Sequence, residues 1–341
     1  MESRKRNEYM DAVRGLAALF VVWGHTFFYI GMWWIPDEIK SLGLLFEVPV
    51  FFMLSGWAAS YRPTELKKTF RGLLRVLLQW IFFITVLAAC CWLSGFTRWK
   101  LEGVSGIGDL LQNYTLSVSF PSLPVVQGSV WFLPLFFAVG ILNPLVMFLL
   151  EKAKVLKKGR SVYLAVLIVG FLPLSALHLL PDFVQSIWFY AIFWMIGRNR
   201  ESLRIDTAPK CILGMGAAVL GYLLSAHALG LPVLVVQDGK FPPTVAYGCW
   251  ALFTMLPVFY LEGRIPVSRF LSHVGRQAIF YYFAQGVSTS LLCRLSDRIT
   301  LFGVGKFPVL LALNLCLTTV IAEGLCMAWK RITWYNVGNF R

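Results

Sequence analysis

The chain has 341 residues, of which 58% are hydrophobic and 14% are charged. Soluble globular proteins carry about 25% charged residues, so this composition excludes a soluble protein and predicts an integral membrane protein. The net charge of +14 would suggest a nucleic-acid partner in a soluble protein. In a membrane protein the retention of basic residues on one side explains the charge, and no nucleic-acid partner is expected.

Ten stretches of the chain are apolar and long enough to span a membrane, which takes about 20 residues each. Prolines and glycines mark the joins between them. The expected fold class is therefore all-α: a polytopic integral membrane protein with a single transmembrane domain over residues 1–341. The first stretch lacks a small-residue cleavage site, so a retained helix is expected rather than a signal peptide. The predicted spans are residues 11–32, 42–60, 73–95, 130–150, 162–180, 184–197, 210–229, 244–261, 272–293 and 305–329.

The distribution of lysine and arginine predicts the orientation of these spans. With the N-terminus in the cytoplasm, 24 of the 31 basic residues lie on the cytoplasmic side, as the positive-inside rule requires. Both termini are therefore expected in the cytoplasm, with the chain in the cell (inner) membrane and its basic side near anionic lipids. The longest connection, residues 96–129, is a candidate lid. The basic residues left for the outer loops are Lys40, Arg98, Lys100, Lys240, Arg294, Arg298 and Lys306.

Two ionisable side chains, Arg14 and His25, lie in the first predicted span, where such groups are costly and usually functional. Eleven helical residues rise about 16 Å and return nearly to the same face, so Arg14 lies at the cytoplasmic edge and His25 deeper. His25 can act as a general base, or hydrogen-bond between helices as a neutral imidazole. Arg14 can hold a phosphate or a developing oxyanion, or pair with Asp11.

Two carboxylates also occur in apolar stretches. Glu47 lies in the second predicted span, and we expect it to pair with His25 or Arg14 or to orient an acceptor. Glu323 lies deep in the tenth predicted span, where a functional role is favoured over a structural one. Ser55 is expected to hydrogen-bond within its helix, because no nucleophile-elbow pattern surrounds it.

A basic face follows the second predicted span. Lys67, Arg71 and Arg75 are spaced four residues apart, and Lys68 lies three residues before Arg71. In a helix these side chains would lie together at the cytoplasmic surface. Such a stripe usually satisfies the positive-inside rule, and it can also hold the phosphates of a cytoplasmic cofactor. Trp131 is either an interfacial anchor or a part of the same binding site.

The remaining polar candidates are expected to be structural. Three further histidines, His178, His227 and His273, lie near predicted helix ends or joins. The seven cysteines are scattered, mostly through apolar segments, without metal-ligand spacing. Neither a metal site nor a disulfide framework is therefore expected.

Five sequence elements occur in a fixed order along the chain. The first is Asp-x-x-Arg-Gly with a later histidine, and the second is Phe-Phe-x-x-Ser-Gly. A basic pair and Trp-Phe-Leu follow, and the fifth element is a weaker match to Gly-x-x-Ser-x-x-Ile-Tyr-x-x-His. They stand here as Asp11, Arg14, Gly15 and His25; Phe51, Phe52, Ser55 and Gly56; Lys68 and Arg71, followed by Arg75; Trp131, Phe132 and Leu133; and Gly275, Ala278, Tyr282 and Gln285.

In this order the elements resemble the membrane-bound acyltransferase-3 family over nearly the whole chain. Ala278 replaces the family's serine and Gln285 its late histidine, so no role of that histidine is carried over. The resemblance implies ten or more helices and a cytoplasmic acyl-CoA donor, usually acetyl-CoA. It also implies transfer of the acyl group to a sugar hydroxyl of a cell-surface glycan or its lipid-linked precursor. An SGNH-type esterase domain, which follows in some relatives, is not expected here.

For this chain the resemblance implies a division of roles. His25 is the general base on the acceptor hydroxyl, Arg14 assists it at the donor, and Glu47 or Glu323 orients His25 or balances its charge. The expected partners are acyl-CoA, a carbohydrate or lipid-linked glycan acceptor, and membrane lipids. The residues expected to bind acyl-CoA are Arg14, Lys68, Arg71, Arg75 and Trp131.

Two other functions stay open on the same scaffold. A small-molecule transporter, or a transport-like membrane module, would also carry intramembrane charges. The altered fifth element, with Ala278 and Gln285, also fits an inactive homologue. Direct acyl transfer and transfer through a transient acyl-enzyme are both compatible with the residues.

Overall fold

The computed structural model is helical: its described part holds ten long α-helices and no strand. The all-α prediction is therefore confirmed. The residues that the structure describes are 7–30, 34–61, 63–93, 114, 116, 123–177, 179–203, 205–299 and 305–338. The ten long helices are α1 (Glu8–Tyr29), α2 (Val48–Ser60), α3 (Leu66–Leu93), α4 (Phe132–Lys152), α5 (Leu156–Ala176), α6 (Asp182–Arg198), α7 (Ala208–Ala228), α8 (Val245–Leu261), α9 (Ala278–Leu295) and α10 (Lys306–Gly338).

Each of the ten predicted spans overlaps one of these helices. Among the described residues, seven helical segments are long and apolar enough to cross a membrane. Helices α6 and α8 have 17 residues each and α9 has 18, so the total of ten spans stays a prediction, as does the orientation of the termini. The seven segments are Glu8–Tyr29, Asp37–Ser60, Leu66–Cys90, Pro124–Lys152, Lys158–Ala176, Ala208–Ala228 and Lys306–Thr333.

Helices α3 and α5 begin earlier than their predicted spans, at Leu66 and Leu156, and helices α2 and α9 begin later. Helix α2 begins at Val48 rather than near residue 42, because Glu47 is extended and Pro49 occupies the first turn of the helix, where proline is tolerated. Helix α9 begins at Ala278 rather than at residue 272, because Gln277 has a non-helical backbone there. The residues before it form a separate short helix, Arg269–Arg276.

By their contacts the described residues group into two compact units, and helix α1 contributes residues to both. The single domain expected over residues 1–341 stays a prediction. The first unit takes the described residues within Met1–Phe20, Ile35–Thr69 and Leu135–Arg276, and the second takes those within Val21–Trp34, Phe70–Pro134 and Gln277–Arg341.

In the first unit, α2 packs against α6 through two glycines. A β-carbon added at Gly56 would lie 1.8 Å from the carbonyl oxygen of Trp194, and one added at Gly197 would lie 1.9 Å from that of Met53. Both distances are far inside van der Waals contact, so the two backbones touch at this crossing. Small residues allow such close approach in membrane helices, where the surrounding lipid gives no hydrophobic force between helices.

The first unit contains a second crossing of the same kind, between α1 and the short helix Arg269–Arg276. A β-carbon at Gly15 would lie 2.1 Å from the carbonyl oxygen of Leu271. A β-carbon at Gly275 would lie 1.7 Å from the carbonyl oxygen of Asp11. The glycine that follows Arg14 in the sequence therefore has a packing role.

In the second unit, α9 packs against α10 and against the short helix Pro124–Ser129. A fully buried polar cluster joins α1, α9 and α10. Ser288 Oγ donates to Asn314 Oδ1 at 2.7 Å, and the Asn314 amide donates to Thr26 Oγ1 and Thr289 Oγ1 at 2.9 Å each. Each such bond between membrane helices contributes about 0.6–2 kcal/mol, so the cluster stabilises this three-helix packing.

The α2–α6 crossing predicts a stability defect on adding one methyl group. Replacing Gly56 with Ala forces the two backbones apart, and such overpacking costs about 1–3 kcal/mol. Thermal unfolding in detergent should show a lower midpoint for Gly56→Ala. The matched control is Gly216→Ala in α7, where nothing lies within 4 Å of an added β-carbon. An unchanged midpoint for Gly56→Ala would contradict the observed crossing.

Candidate functional site

His25 is half-buried in α1 and is held by a residue of α9. Its Nδ1 shares a hydrogen bond with Oε1 of Gln285, 260 positions later in the chain. Its ring and the ring of Tyr29 form an edge-to-face pair, with 5.4 Å between the ring centroids. Gln285 is fully buried. The imidazole is therefore fixed on one side by a polar group that has no access to solvent.

The hydrogen bonds continue from Gln285 to the short helix Pro124–Ser129. Gln285 Nε2 donates to Ser129 Oγ at 3.3 Å, and Ser129 Oγ donates to the carbonyl oxygen of Val125. Tyr282, on the same face of α9 as Gln285, donates its hydroxyl proton to the carbonyl oxygen of Ser129. His25, Gln285, Ser129 and Tyr282 therefore form one connected polar network inside the second unit.

Arg14 pairs with Asp11 one helical turn earlier. Its Nη1 lies 3.0 Å from Asp11 Oδ1, and the two side chains are 26% and 4% exposed. The pairing of Arg14 with Asp11, which the sequence offered as an alternative to anion binding, is therefore present in the protein. The pair keeps the buried Asp11 carboxylate neutralised and leaves part of the guanidinium at the surface, and the predicted donor role of Arg14 stays a prediction.

Glu47 has partners other than those expected from the sequence. Its carboxylate accepts from Lys240 Nζ at 2.6 Å and from the Tyr247 hydroxyl at 2.9 Å. Glu47 lies just before α2, within reach of the loop that carries Lys240. The expectation that Glu47 pairs with His25 or Arg14 is therefore wrong. A buried carboxylate needs a cation and further hydrogen bonds to offset its lost hydration, and Lys240 and Tyr247 supply both.

Glu323 lies on α10 and is half-buried. The Tyr281 hydroxyl on α9 donates to its Oε1 at 3.2 Å. This bond belongs to the second unit, as does the His25 network. Tyr281 is thus one polar partner of Glu323, and a functional role for Glu323 stays a prediction.

The basic face predicted after α2 is formed at the N-terminal end of α3. Lys67, Lys68, Arg71 and Arg75 are all exposed. Lys68 Nζ lies 2.7 Å from Glu65 Oε1, and both of these side chains are at least half exposed. Because exposed pairs contribute little to stability, this contact leaves the face available for an anion. Its role as a donor site stays a prediction.

Trp131 lies in the turn between the short helix Pro124–Ser129 and α4, and it is half-buried. It comes two residues after Ser129 of the polar network. Most of the candidate lid at 96–129 lies outside the described residues, and Pro124–Ser129 is its described helix. The role of Trp131 in donor binding and the role of residues 96–129 as a lid both stay predictions.

The remaining candidates agree with their structural interpretation where they are described. Ser55 Oγ donates to the carbonyl oxygen of Phe51 at 2.8 Å, as expected for a helix hydrogen-bonding residue. His227 and His273 are exposed at the end of α7 and on the short helix before α9. His178 lies outside the described residues.

Sequence reasoning missed Ser129. It counted Lys240 only among the basic residues of the outer loops, and it noted Gln285 only as a replacement for a histidine. The spacing of Tyr282 and Gln285, three residues apart on a helix, puts both on one face and was the available signal. No short-range pattern indicated that Ser129 or His25 would meet that face. The link between them is a tertiary contact.

The helices and their bonded interior polar groups define the class: a multi-pass membrane protein. A family model described as an acyltransferase domain matches residues 7–323. The chain belongs to the acyltransferase-3 family, and it is a membrane acyltransferase. Searches of curated proteins and of solved structures returned no match.

The buried Glu47–Lys240 pair predicts that removing the lysine alone destabilises the protein more than removing both charges. Lys240→Met leaves the Glu47 carboxylate buried without its cation, which costs about 3–5 kcal/mol in comparable sites. The double variant Glu47→Gln with Lys240→Met keeps an acceptor for Tyr247 and removes the charge, so it should regain part of that loss. Thermal unfolding of both variants in detergent measures the difference. A double variant less stable than Lys240→Met would contradict the pairing.

Proposed function

We propose that the protein is an acyl-CoA-dependent O-acyltransferase of the cytoplasmic membrane. It transfers an acyl group, acetyl in the simplest case, from cytoplasmic acyl-CoA to a hydroxyl of an extracytoplasmic or lipid-linked glycan. The observation that carries the proposal is His25, a titratable side chain in a spanning helix whose ring is held by the buried Gln285. Membership of the acyltransferase-3 family supports the reaction class.

In the proposed reaction, His25 removes the proton from the acceptor hydroxyl. The hydroxyl oxygen attacks the thioester carbonyl carbon, and the carbon–sulfur bond then breaks. The imidazolium returns its proton to the CoA sulfur, which leaves as the thiol, and the acceptor carries the new ester. A positioned general base of this kind contributes about 10²–10⁴-fold to the rate.

The proposed donor site is the exposed basic face of α3, formed by Lys67, Lys68, Arg71 and Arg75. CoA carries several phosphate charges, and guanidinium groups bind phosphate through paired hydrogen bonds. Arg14, with part of its guanidinium exposed beside Asp11, is proposed to assist. The charges on the face fit such an anion. Trp131 is proposed to contact the donor as well.

The two carboxylates support different roles. Glu47 is bonded to Lys240 and Tyr247 within the first unit, which favours a structural role for it. Glu323, held by Tyr281 in the second unit, stays the proposed carboxylate for balancing charge during proton transfer.

The base assignment predicts that His25→Ala lowers acyl transfer at least about 100-fold, because the general base is removed. The assay follows labelled acetyl-CoA in membranes that contain the native acceptor, with expression checked by immunoblot. His227→Ala is the matched control, since its side chain is exposed at the end of α7, and its activity should equal that of the unsubstituted protein.

Retained transfer by His25→Ala would remove the residue from the mechanism. If the unsubstituted protein instead moves a solute without acyl-CoA and transfers no label, the transporter alternative replaces the proposed function.

The donor assignment predicts weaker acyl-CoA binding by Arg71→Ala. A lost charged hydrogen bond costs about 1.5–3 kcal/mol when well formed, so the dissociation constant should rise about tenfold or more. Raising the salt concentration should shrink the difference, because salt screens exposed charges. Equilibrium binding of labelled acetyl-CoA to purified protein measures both effects. Arg269→Ala, which removes an exposed arginine elsewhere, is the control, and equal affinities for the two variants would contradict the assignment.

A further inference from the structure

We infer that Gln285 and Ser129 are positioning residues that fix the tautomer of His25, with the proton on Nδ1 and the basic lone pair on Nε2. The inference rests on the proposed function for its catalytic consequence, and on hydrogen-bond geometry alone for the tautomer. It assigns a role to the glutamine at the position of the family's late histidine, where the resemblance carried none over.

The chain of donors and acceptors starts at Ser129. Its Oγ lies against the carbonyl oxygen of Val125, four residues earlier in the same short helix. A carbonyl oxygen can only accept, so the hydroxyl proton of Ser129 points to Val125. The lone pairs of Ser129 Oγ are then the groups presented to Gln285, 3.3 Å away.

The orientation of the Gln285 amide follows. An amide presents two donor protons on nitrogen and an acceptor on oxygen, and the hydrogen-bond network decides which end faces which partner. Because Ser129 Oγ accepts, Gln285 Nε2 must face Ser129, and Oε1 must face His25. Turning the amide over would set two acceptors against each other at Ser129.

The tautomer of His25 follows in turn. Oε1 of Gln285 can only accept, so Nδ1 of His25 must carry the proton that forms their bond. The hydrogen bond at one ring nitrogen determines which nitrogen of a neutral imidazole holds the proton. The lone pair of neutral His25 is therefore on Nε2, which is the nitrogen proposed to take the acceptor proton.

Burial favours a single arrangement of donors and acceptors in this network. Gln285 is fully buried and Ser129 is 6% exposed, so water does not replace a lost partner readily. An unpaired polar group in such surroundings is costly. This cost favours the one arrangement in which His25 Nδ1, both ends of the Gln285 amide and Ser129 Oγ are all hydrogen-bonded. The Tyr282 hydroxyl adds a bond to the carbonyl oxygen of Ser129 and holds the short helix in place.

The test is nitrogen NMR of the protein in membranes after labelling with ¹⁵N-histidine. The His25 signals are assigned by their loss in His25→Asn, and the ¹⁵N shifts show which ring nitrogen carries the proton above the pH of its titration. The expected result for the unsubstituted protein is protonated Nδ1. Protonated Nε2 would overturn the inference without any variant being needed.

Two variants test the roles of the partners. Gln285→Met removes the acceptor and keeps the side-chain length, and Ser129→Ala frees the amide to turn over, so both should shift His25 toward the other tautomer. Gln185→Met is the matched control, because Gln185 is also fully buried and donates to the carbonyl oxygen of Pro243 in the first unit. An unchanged tautomer in Gln285→Met, or an equal shift in Gln185→Met, would overturn the assignment.

Acyl transfer separates this inference from the proposed function. In Gln285→Met we expect kcat to fall about 10–100-fold with KM for acyl-CoA unchanged, since a misdirected base loses part of its contribution. If NMR shows protonated Nδ1 and the unsubstituted protein transfers no acyl group, the proposed function fails and the tautomer stands. If transfer occurs with Nε2 protonated, the positioning role fails and the proposed function stands.

Discussion

A polar side chain inside a bundle of membrane helices must find its hydrogen-bond partner in the protein, because lipid offers none. The second unit is built around this constraint. His25 bonds to Gln285 and Gln285 bonds to Ser129, while Ser288 and Asn314 form a second buried cluster. Each bond links a different pair of helices or a helix and its neighbouring segment. The groups proposed to position His25 therefore also hold its surroundings together.

The family elements contain residues of two kinds, and the structure separates them. Gly15 and Gly56 lie at crossings where the neighbouring carbonyl oxygen would be about 2 Å from an added β-carbon. They are packing residues, since no other side chain allows the backbones to approach so closely. In the proposed function, Arg14 supplies a positive charge at the donor and His25 carries the proton chemistry. The first element thus combines a structural glycine with the side chains proposed to be functional on one helix.

The helices were predictable from the sequence, whereas polar contacts between residues far apart in the chain were not. Apolar runs ended by proline or glycine located all ten long helices of the described residues, because burial in a membrane demands such runs along the chain itself. Asp11 was predictable as a partner of Arg14, since it lies one turn away. Glu47 was assigned the wrong partners because Lys240 lies 193 positions away. Gln285 lies 260 positions from His25, and only tertiary packing brings such residues together.

The replacement of a histidine by Gln285 restricts what the proposed site can do with a proton. A histidine at this position can donate, accept or become charged, whereas an amide keeps its donor and acceptor ends and does not titrate. A carboxylate would hold the imidazolium more strongly, at the cost of burying a second charge. Gln285 therefore cannot take over a proton that His25 has gained on Nε2. In the proposed reaction the departing sulfur, rather than Gln285, accepts the proton from His25.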